Sequence, residues 1–218
     1  MKVCGIDEAG RGAVVGPMVV AGVLVDGDKV GELIEVGVKD SKKLSPGVRA
    51  ELSKLIREIA EKVEVMVLNA STVDKSTRKS GARGLNELEA EIFAELIDRL
   101  KPDAAYIDLP STKYEEFRRL IEELAEHRCA IVLEHKADEK YPVVSAASII
   151  AKYERDRLIE KLKAELGDFG SGYPSDPKTR SFLLDRLKRG KIEDSHIRSS
   201  WKTLSKVAQL KLDDFSQG

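Results

Sequence analysis

Two short apolar runs open the chain, Lys2 to Asp7 and the valine-rich Met18 to Val25, and they constrain the fold more than anything after them. Runs of this length rich in β-branched residues read as strands, and Gly27-Asp28 reads as a turn after the second. From there strands and helices alternate. Ser45-Pro46 predicts a helix start, with Leu52, Leu55, Ile56 and Ile59 on one face. Val63 to Leu68 reads as a strand, and Ser71 to Gly84 as a polar loop. Leu85, Leu88, Ile92, Leu96 and Leu100 form a helical stripe that stops before Pro102. Ala104 to Asp108 is a short strand; Thr112 and Glu115 then offer a capping box for a helix carrying Phe117, Leu120, Ile121 and Leu124. Cys129 to Leu133 is another strand, and Pro142 to Leu166 a helix whose first half is rich in small residues. Beyond a Gly/Ser/Pro-rich loop, Gly167 to Pro177, two more helical segments lead to a polar tail. Antiparallel strands followed by strand–helix alternation imply an α+β or mixed-sheet α/β domain with a helical C-terminal extension.

Length and charge limit what such a domain does. At 218 residues the chain suits one compact domain with a small appendage. Its 37 basic and 38 acidic side chains nearly cancel, so any site for a polyanion has to be a local patch. Cys4 and Cys129 lack zinc-type spacing and suggest no disulfide framework, which fits a reducing, cytoplasmic setting. The apolar stretch from Ala13 to Val25 is broken by Gly16, Pro17 and Gly22 and is too short to span a bilayer. Asn occurs only at 69 and 86 and Gln only at 209 and 217, a skew found in heat-stable proteins.

The chemistry-bearing residues collect at strand ends. Asp7 and Glu8 close the first apolar run, Asp108 closes a later one, and Asp138 follows the strand that ends at Leu133. Taken singly, each is more often a turn or helix cap. Four acids at three strand ends form a more specific pattern, suited to hard divalent cations such as Mg²⁺ or Mn²⁺. Neighbours on a regular strand face opposite ways, so Asp7 and Glu8 share one cation cluster only where the strand stops or twists; Gly10 and Gly12 supply such an ending. The chemistry suggested is metal-assisted phosphodiester cleavage.

Gly10-Arg11-Gly12 is neither a dinucleotide fingerprint, since Val15 stands where a third glycine belongs, nor a phosphate-binding P-loop. It offers a backbone open to close approach and a guanidinium suited to phosphate, although a tight turn with a surface arginine has the same sequence. Ser41 and Lys42, within Asp40-Ser41-Lys42-Lys43, and Lys136, beside His135, add basic and polar groups in strand-end loops; a solvated surface explains them as readily. Tyr173, in Gly170-Ser171-Gly172-Tyr173-Pro174, is placed either to stack on a sugar or base or to anchor a core.

These stretches together resemble type 2 ribonuclease H, the ribonuclease HII family, in its archaeal form. The resemblance rests on Gly5 to Gly12, Asp40 to Leu44, Tyr106 to Asp108, His135 to Asp138, Ser145 to Lys152 and Gly170 to Pro177, in that order along the chain. It implies a ribonuclease-H-like mixed sheet flanked by helices. It also implies endonucleolytic cutting of RNA in RNA/DNA hybrids or at ribonucleotides embedded in duplex DNA, leaving 3′-hydroxyl and 5′-phosphate ends. By the same resemblance Asp7, Glu8, Asp108 and Asp138 hold Mg²⁺ or Mn²⁺, Gly10-Arg11-Gly12 contacts the backbone at the RNA-to-DNA junction, and Tyr173 stacks near the following deoxyribose. Residues 1–166 are expected to form the catalytic domain, 167–208 a helical extension that helps bind substrate, and 209–218 a tail. In that tail Gln209, Leu212 and Phe215 have the spacing of a sliding-clamp-binding peptide, as in archaeal members. The family resemblance further suggests a monomer.

Overall fold

A computed structural model of the chain describes residues 1–38, 44–77, 84–109, 114–191, 195–201 and 204. Among them a five-stranded mixed sheet runs in the order β3-β2-β1-β4-β5, formed by β1 (Lys2–Ala9), β2 (Met18–Asp26), β3 (Lys62–Leu68), β4 (Ala104–Asp108) and β5 (Ala130–Glu134). β1 pairs antiparallel with β2 and parallel with β4, which in turn pairs parallel with β5. The helices are α1 (Val30–Glu35), α2 (Pro46–Ile59), α3 (Ala70–Thr77), α4 (Leu85–Leu100), α5 (Tyr114–Leu124), α6 (Ala137–Lys140), α7 (Pro142–Leu166) and α8 (Pro177–Lys188). The mixed sheet with flanking helices is the architecture expected from the sequence. Among the described residues no helix is long and apolar enough to cross a membrane.

Local differences have local causes. The Ser71–Gly84 loop becomes helical over Ala70–Thr77, because the Asn69 side chain accepts the Thr72 N–H at 2.8 Å and caps the helix start. The turn at Gly27-Asp28 is a single 3₁₀ turn that continues into α1. Ser45 caps α2 as expected, its hydroxyl accepting the Val48 N–H. Thr112, proposed as a cap for α5, lies outside the described residues, as does most of the second helical segment after the loop. Its described part consists of turns and one bridge, Ile197 to Val15, over 195–201, with Leu204 helical.

Tertiary contacts divide the chain into two units: Met1–Ala9, Val19–Met66 and Leu85–Glu154 form the first, and Gly10–Met18, Val67–Gly84 and Arg155–Gly218 the second. In the first, helices cover both faces of the sheet. A Cβ on Gly5 would overlap the Val143 carbonyl, so the start of α7 sits directly on β1, an approach only glycine permits. Gly22, whose cross-strand partner Ile6 faces away from Gly5, meets Leu96 and Leu100 of α4 on the other face. Phe93 of α4 then packs edge-on against Phe117 of α5, with ring centroids 5.8 Å apart. In the second unit Val14, Val15, Ile159, Phe169, Leu183 and Ile197 form a separate buried core.

Candidate active site and glycine-rich turn

In the first unit the parallel pairing of β1 with β4 aligns Ile6 with Ile107, which puts Asp7 and Asp108 one residue further along neighbouring strands. In-register residues on parallel strands share a face, here the one covered by α7. Asp7 is 5% exposed. Its Oδ1 accepts the Glu8 N–H at 2.7 Å, and Ser148 of α7 hydrogen-bonds its carboxylate. Lys152, one helical turn after Ser148, donates to the Ser148 hydroxyl at 2.7 Å and adds a positive charge. Burial pushes the Asp7 carboxyl up to about 7 and the neighbouring charge of Asp108 adds to this, while Ser148, Lys152 and the Glu8 N–H oppose it. Asp108 is held from behind, since its Oδ1 accepts the Ala137 N–H at 2.9 Å.

β5 hands the chain to α6 through Lys136, which adopts a left-handed conformation (φ 57°) rare for a side-chain-bearing residue. That turn aims the Ala137 N–H at Asp108 and buries Asp138 at the next position. Lys136 itself is exposed, its ammonium 3.9 Å from Glu139. β1 does not stop at Asp7. It continues to Ala9, with Asp7 opposite Ala21 and Glu8 opposite Val20, so Glu8 joins Asp7 at one cation cluster only through a twist of the strand there. Among the described residues no three Asp, Glu, His or Cys side chains stand close enough to cage a metal. Mg²⁺ needs no such cage, because it is held by one or two carboxylates together with waters and substrate phosphates. Two neighbouring carboxylates, one driven toward neutrality chiefly by burial and further by the charge of the other, are a donor set that a hard divalent cation would relieve.

The second unit holds the glycine-rich turn. Gly10 has φ +85°, and a Cβ there would run into the Arg155 side chain and the Pro17 carbonyl. The Ala13 N–H returns to the Gly10 carbonyl at 3.2 Å, closing the turn, and the Gly10 N–H donates to the Tyr173 hydroxyl at 3.0 Å. Arg155 lies over the Tyr173 ring, 4.7 Å from its centroid, and donates to the carbonyls of Pro17 and Ser171. Burial lowers its pKa. The Tyr173 loop is braced by Asp176, which accepts the Ser171 N–H and caps α8 through Lys178, and by Thr179, which accepts the Gly172 N–H. The structure thus unites Gly10, Arg11, Gly12 and Tyr173 in one assembly, with Gly12 exposed and Tyr173 half-buried. Ser41, Lys42, Gln209, Leu212 and Phe215 lie outside the described residues. The sequence reading did not single out Arg155 or Arg198, because neither belongs to a strand-end or glycine-rich signal.

A mixed sheet flanked by helices on both faces, with acids side by side on neighbouring parallel strands, is ribonuclease-H-like in architecture and carries the donor set of a metal-dependent nuclease. The ribonuclease HII family model matches residues 4–204. Ribonuclease HII of Archaeoglobus fulgidus is 51% identical over 211 residues, covering 97% of this chain and 98% of that protein. Among solved structures, the PCNA:RNase HII complex from the same organism gives a TM-score of 0.84 at 48% identity over 92% of this chain and 95% of that one. Ribonuclease H2 from Pyrococcus horikoshii OT3 gives 0.86 at 41% identity, covering 96% and 98%. The chain belongs to the ribonuclease HII family, metal-dependent endonucleases that cleave the RNA of RNA/DNA hybrids.

Proposed function

We propose that this ribonuclease also incises duplex DNA at single embedded ribonucleotides, leaving 3′-hydroxyl and 5′-phosphate ends, with two divalent cations at Asp7, Glu8, Asp108 and Asp138. The observation that carries the metal site is the placing of buried Asp7 beside half-buried Asp108 on adjacent parallel strands. Bound there, Mg²⁺ or Mn²⁺ would activate a water for in-line attack and stabilise the leaving oxygen. The protein's own part is to hold these carboxylates still: Ala137 fixes one oxygen of Asp108, and Glu8 and Ser148 fix Asp7. Asp138 and Glu8 complete the set on family resemblance.

Selectivity for the ribonucleotide falls to the turn and its tyrosine. Gly12 is exposed and lacks a side chain, so a nucleic-acid backbone can approach the peptide plane itself. Tyr173 is locked by Gly10 and Arg155 and offers a preset ring against the sugar after the ribonucleotide. Ser41, Lys42, Arg11 and Lys136 supply contacts to phosphates. Residues 167–208 serve substrate binding, whereas Gln209, Leu212 and Phe215 attach the enzyme to a sliding clamp. The A. fulgidus relative solved in a PCNA:RNase HII complex supports such an attachment.

The deciding assay uses duplex DNA with and without one ribonucleotide, plus an RNA/DNA hybrid, in Mg²⁺, Mn²⁺ or chelator. The proposal expects metal-dependent cutting of both ribonucleotide-containing substrates and none of plain DNA. Cutting of plain DNA, or of the hybrid alone, would overturn it.

A further inference from the structure

Arg198 is fully buried, and its guanidinium donates to three main-chain carbonyls. Nη1 reaches Arg11 O at 2.7 Å, and Nη2 reaches Gly10 O at 2.8 Å and Gly16 O at 3.4 Å. Its own N–H binds the Val14 carbonyl at 2.9 Å, and the guanidinium lies 5.1 Å from the centre of the Trp201 ring. Burying a guanidinium is costly, and one whose two Nη atoms are spent on the carbonyls of residues 10, 11 and 16 has been placed there at the expense of a simpler apolar packing. The segment that carries it is tied down in turn. Asp74 of α3, 2% exposed, accepts the Ser200 N–H at 2.8 Å, the Ser200 hydroxyl at 2.6 Å and the Ser199 hydroxyl at 3.1 Å. Thr77 adds a hydroxyl contact to Ser200 at 2.9 Å.

The consequence follows from peptide planarity. In a trans peptide the N–H points opposite to the C=O of the preceding residue. With the Gly10 and Arg11 carbonyls drawn onto Arg198, the N–H groups of Arg11 and Gly12 are turned the other way. Two successive N–H groups aimed to the same side form an anion-binding concavity. We propose that Arg198, latched by Asp74, is the positioning residue that sets the Gly10–Arg11–Gly12 turn so that the Arg11 and Gly12 N–H groups meet a substrate phosphate. This rests on the reading of the turn as a substrate contact. Lysine cannot reproduce the arrangement, because its three donors radiate from one nitrogen whereas the guanidinium spreads five over a planar fork.

The test uses the full chain as wild type, Arg198→Lys, Arg198→Met and Asp74→Ala, on duplex DNA with a single ribonucleotide. If the turn is misaligned, KM rises about tenfold in Arg198→Lys, and further in Arg198→Met, while kcat changes by less than about threefold. Asp74→Ala shows the same KM-selective loss with Arg198 intact. A merely structural arginine would lower the folded fraction and leave the KM of the remainder unchanged, and Arg198→Lys keeps the test alive if Arg198→Met does not fold. The second readout is the amide resonances of Arg11 and Gly12 as the same duplex is titrated in chelator, where nothing is cut. Movement in the wild type that is diminished in Arg198→Lys supports the proposal. Stationary wild-type amides would overturn the turn as a substrate contact, and the proposal with it. Equal movement and equal KM in both proteins would overturn the role of Arg198 while leaving that reading intact.

Discussion

Replacing Asp7 by Asn should destroy cleavage and, in the absence of metal, stabilise the fold. The carboxyl is 5% exposed, faces Asp108, and is raised from 3.8 to about 7, with burial as the largest cause. A carboxyl whose folded-state pKa is raised favours folding in its neutral form. That contribution is complete below the unfolded value near 3.8 and is lost as pH rises through about 7. The gap of about 3 pH units, at 1.36 kcal/mol each, sets an upper bound of about 4 kcal/mol on the cost of the charged form at pH 8. Relaxation around the charge brings the expected effect nearer to about 2 kcal/mol. Asn keeps an oxygen for the Glu8 N–H and nearly the same volume, so little packing is lost.

Thermal melts of both proteins in chelator should converge near pH 4 and diverge upward, the variant melting about 4–8 °C higher at pH 8 for a domain of this size. Saturating Mg²⁺ should then raise the wild type and leave the variant where it was, since the cation stabilises only the form that binds it. Parallel melting curves from pH 4 to pH 8 would show that Asp7 is not strained by its surroundings. Near-normal cleavage by the purified variant would refute its place in the metal site.

Tyr173→Ala should reduce kcat/KM on a single-ribonucleotide duplex by about tenfold or more, since base–aromatic stacking is worth ~1–3 kcal/mol; Tyr173→Phe, which forfeits only the acceptor for the Gly10 N–H, should lose less. Equal losses would mean that the ring does not stack. Gly5→Ala should cost about 3 kcal/mol or more in urea denaturation, because the new methyl overlaps the Val143 main chain, whereas Gly47→Ala, with open space around it, should be tolerated. Truncation after Ala208 should abolish binding to a sliding clamp in calorimetry while leaving cleavage of short duplexes unchanged; equal binding by both forms would rule out the tail.

Much of the fold is legible in the sequence because its signals agree with each other. The span of α7 is read correctly at both ends, with Pro142 at the start and Gly167 just past Leu166. α4 is read as a helix, yet its inward face coincides with only part of the leucine stripe. Ala90, Phe93, Ala94 and Ile97 are buried with Leu96 and Leu100, while Leu85 and Leu88 are only half-buried. Apolar residues surround this helix on several sides, so periodicity alone does not choose among them. α3 is hidden for the opposite reason. Its residues are mostly polar, and what makes it a helix is a cap at Asn69 together with Val73 and Asp74 turned inward.

The site divides along the same line. Asp7 and Asp108 are visible because each ends an apolar run, and parallel pairing then brings them together without further help. Glu8 shows the limit of that argument, since sharing a cation cluster with Asp7 requires the strand to stop or twist, and the ladder to β2 runs on through Val20 and Val19 without stopping. Hydrogen bonding to a partner strand overrides a glycine two residues further on. Arg198 is invisible for a deeper reason: one arginine among 37 basic residues carries no pattern, and burial of its charge is decided by carbonyls from residues 10, 11 and 16 that meet it only after folding. The strand acids announce themselves because each closes an apolar run in the sequence. The residues that hold them, and the turn beside them in sequence, owe their roles to long-range contacts that no local window contains.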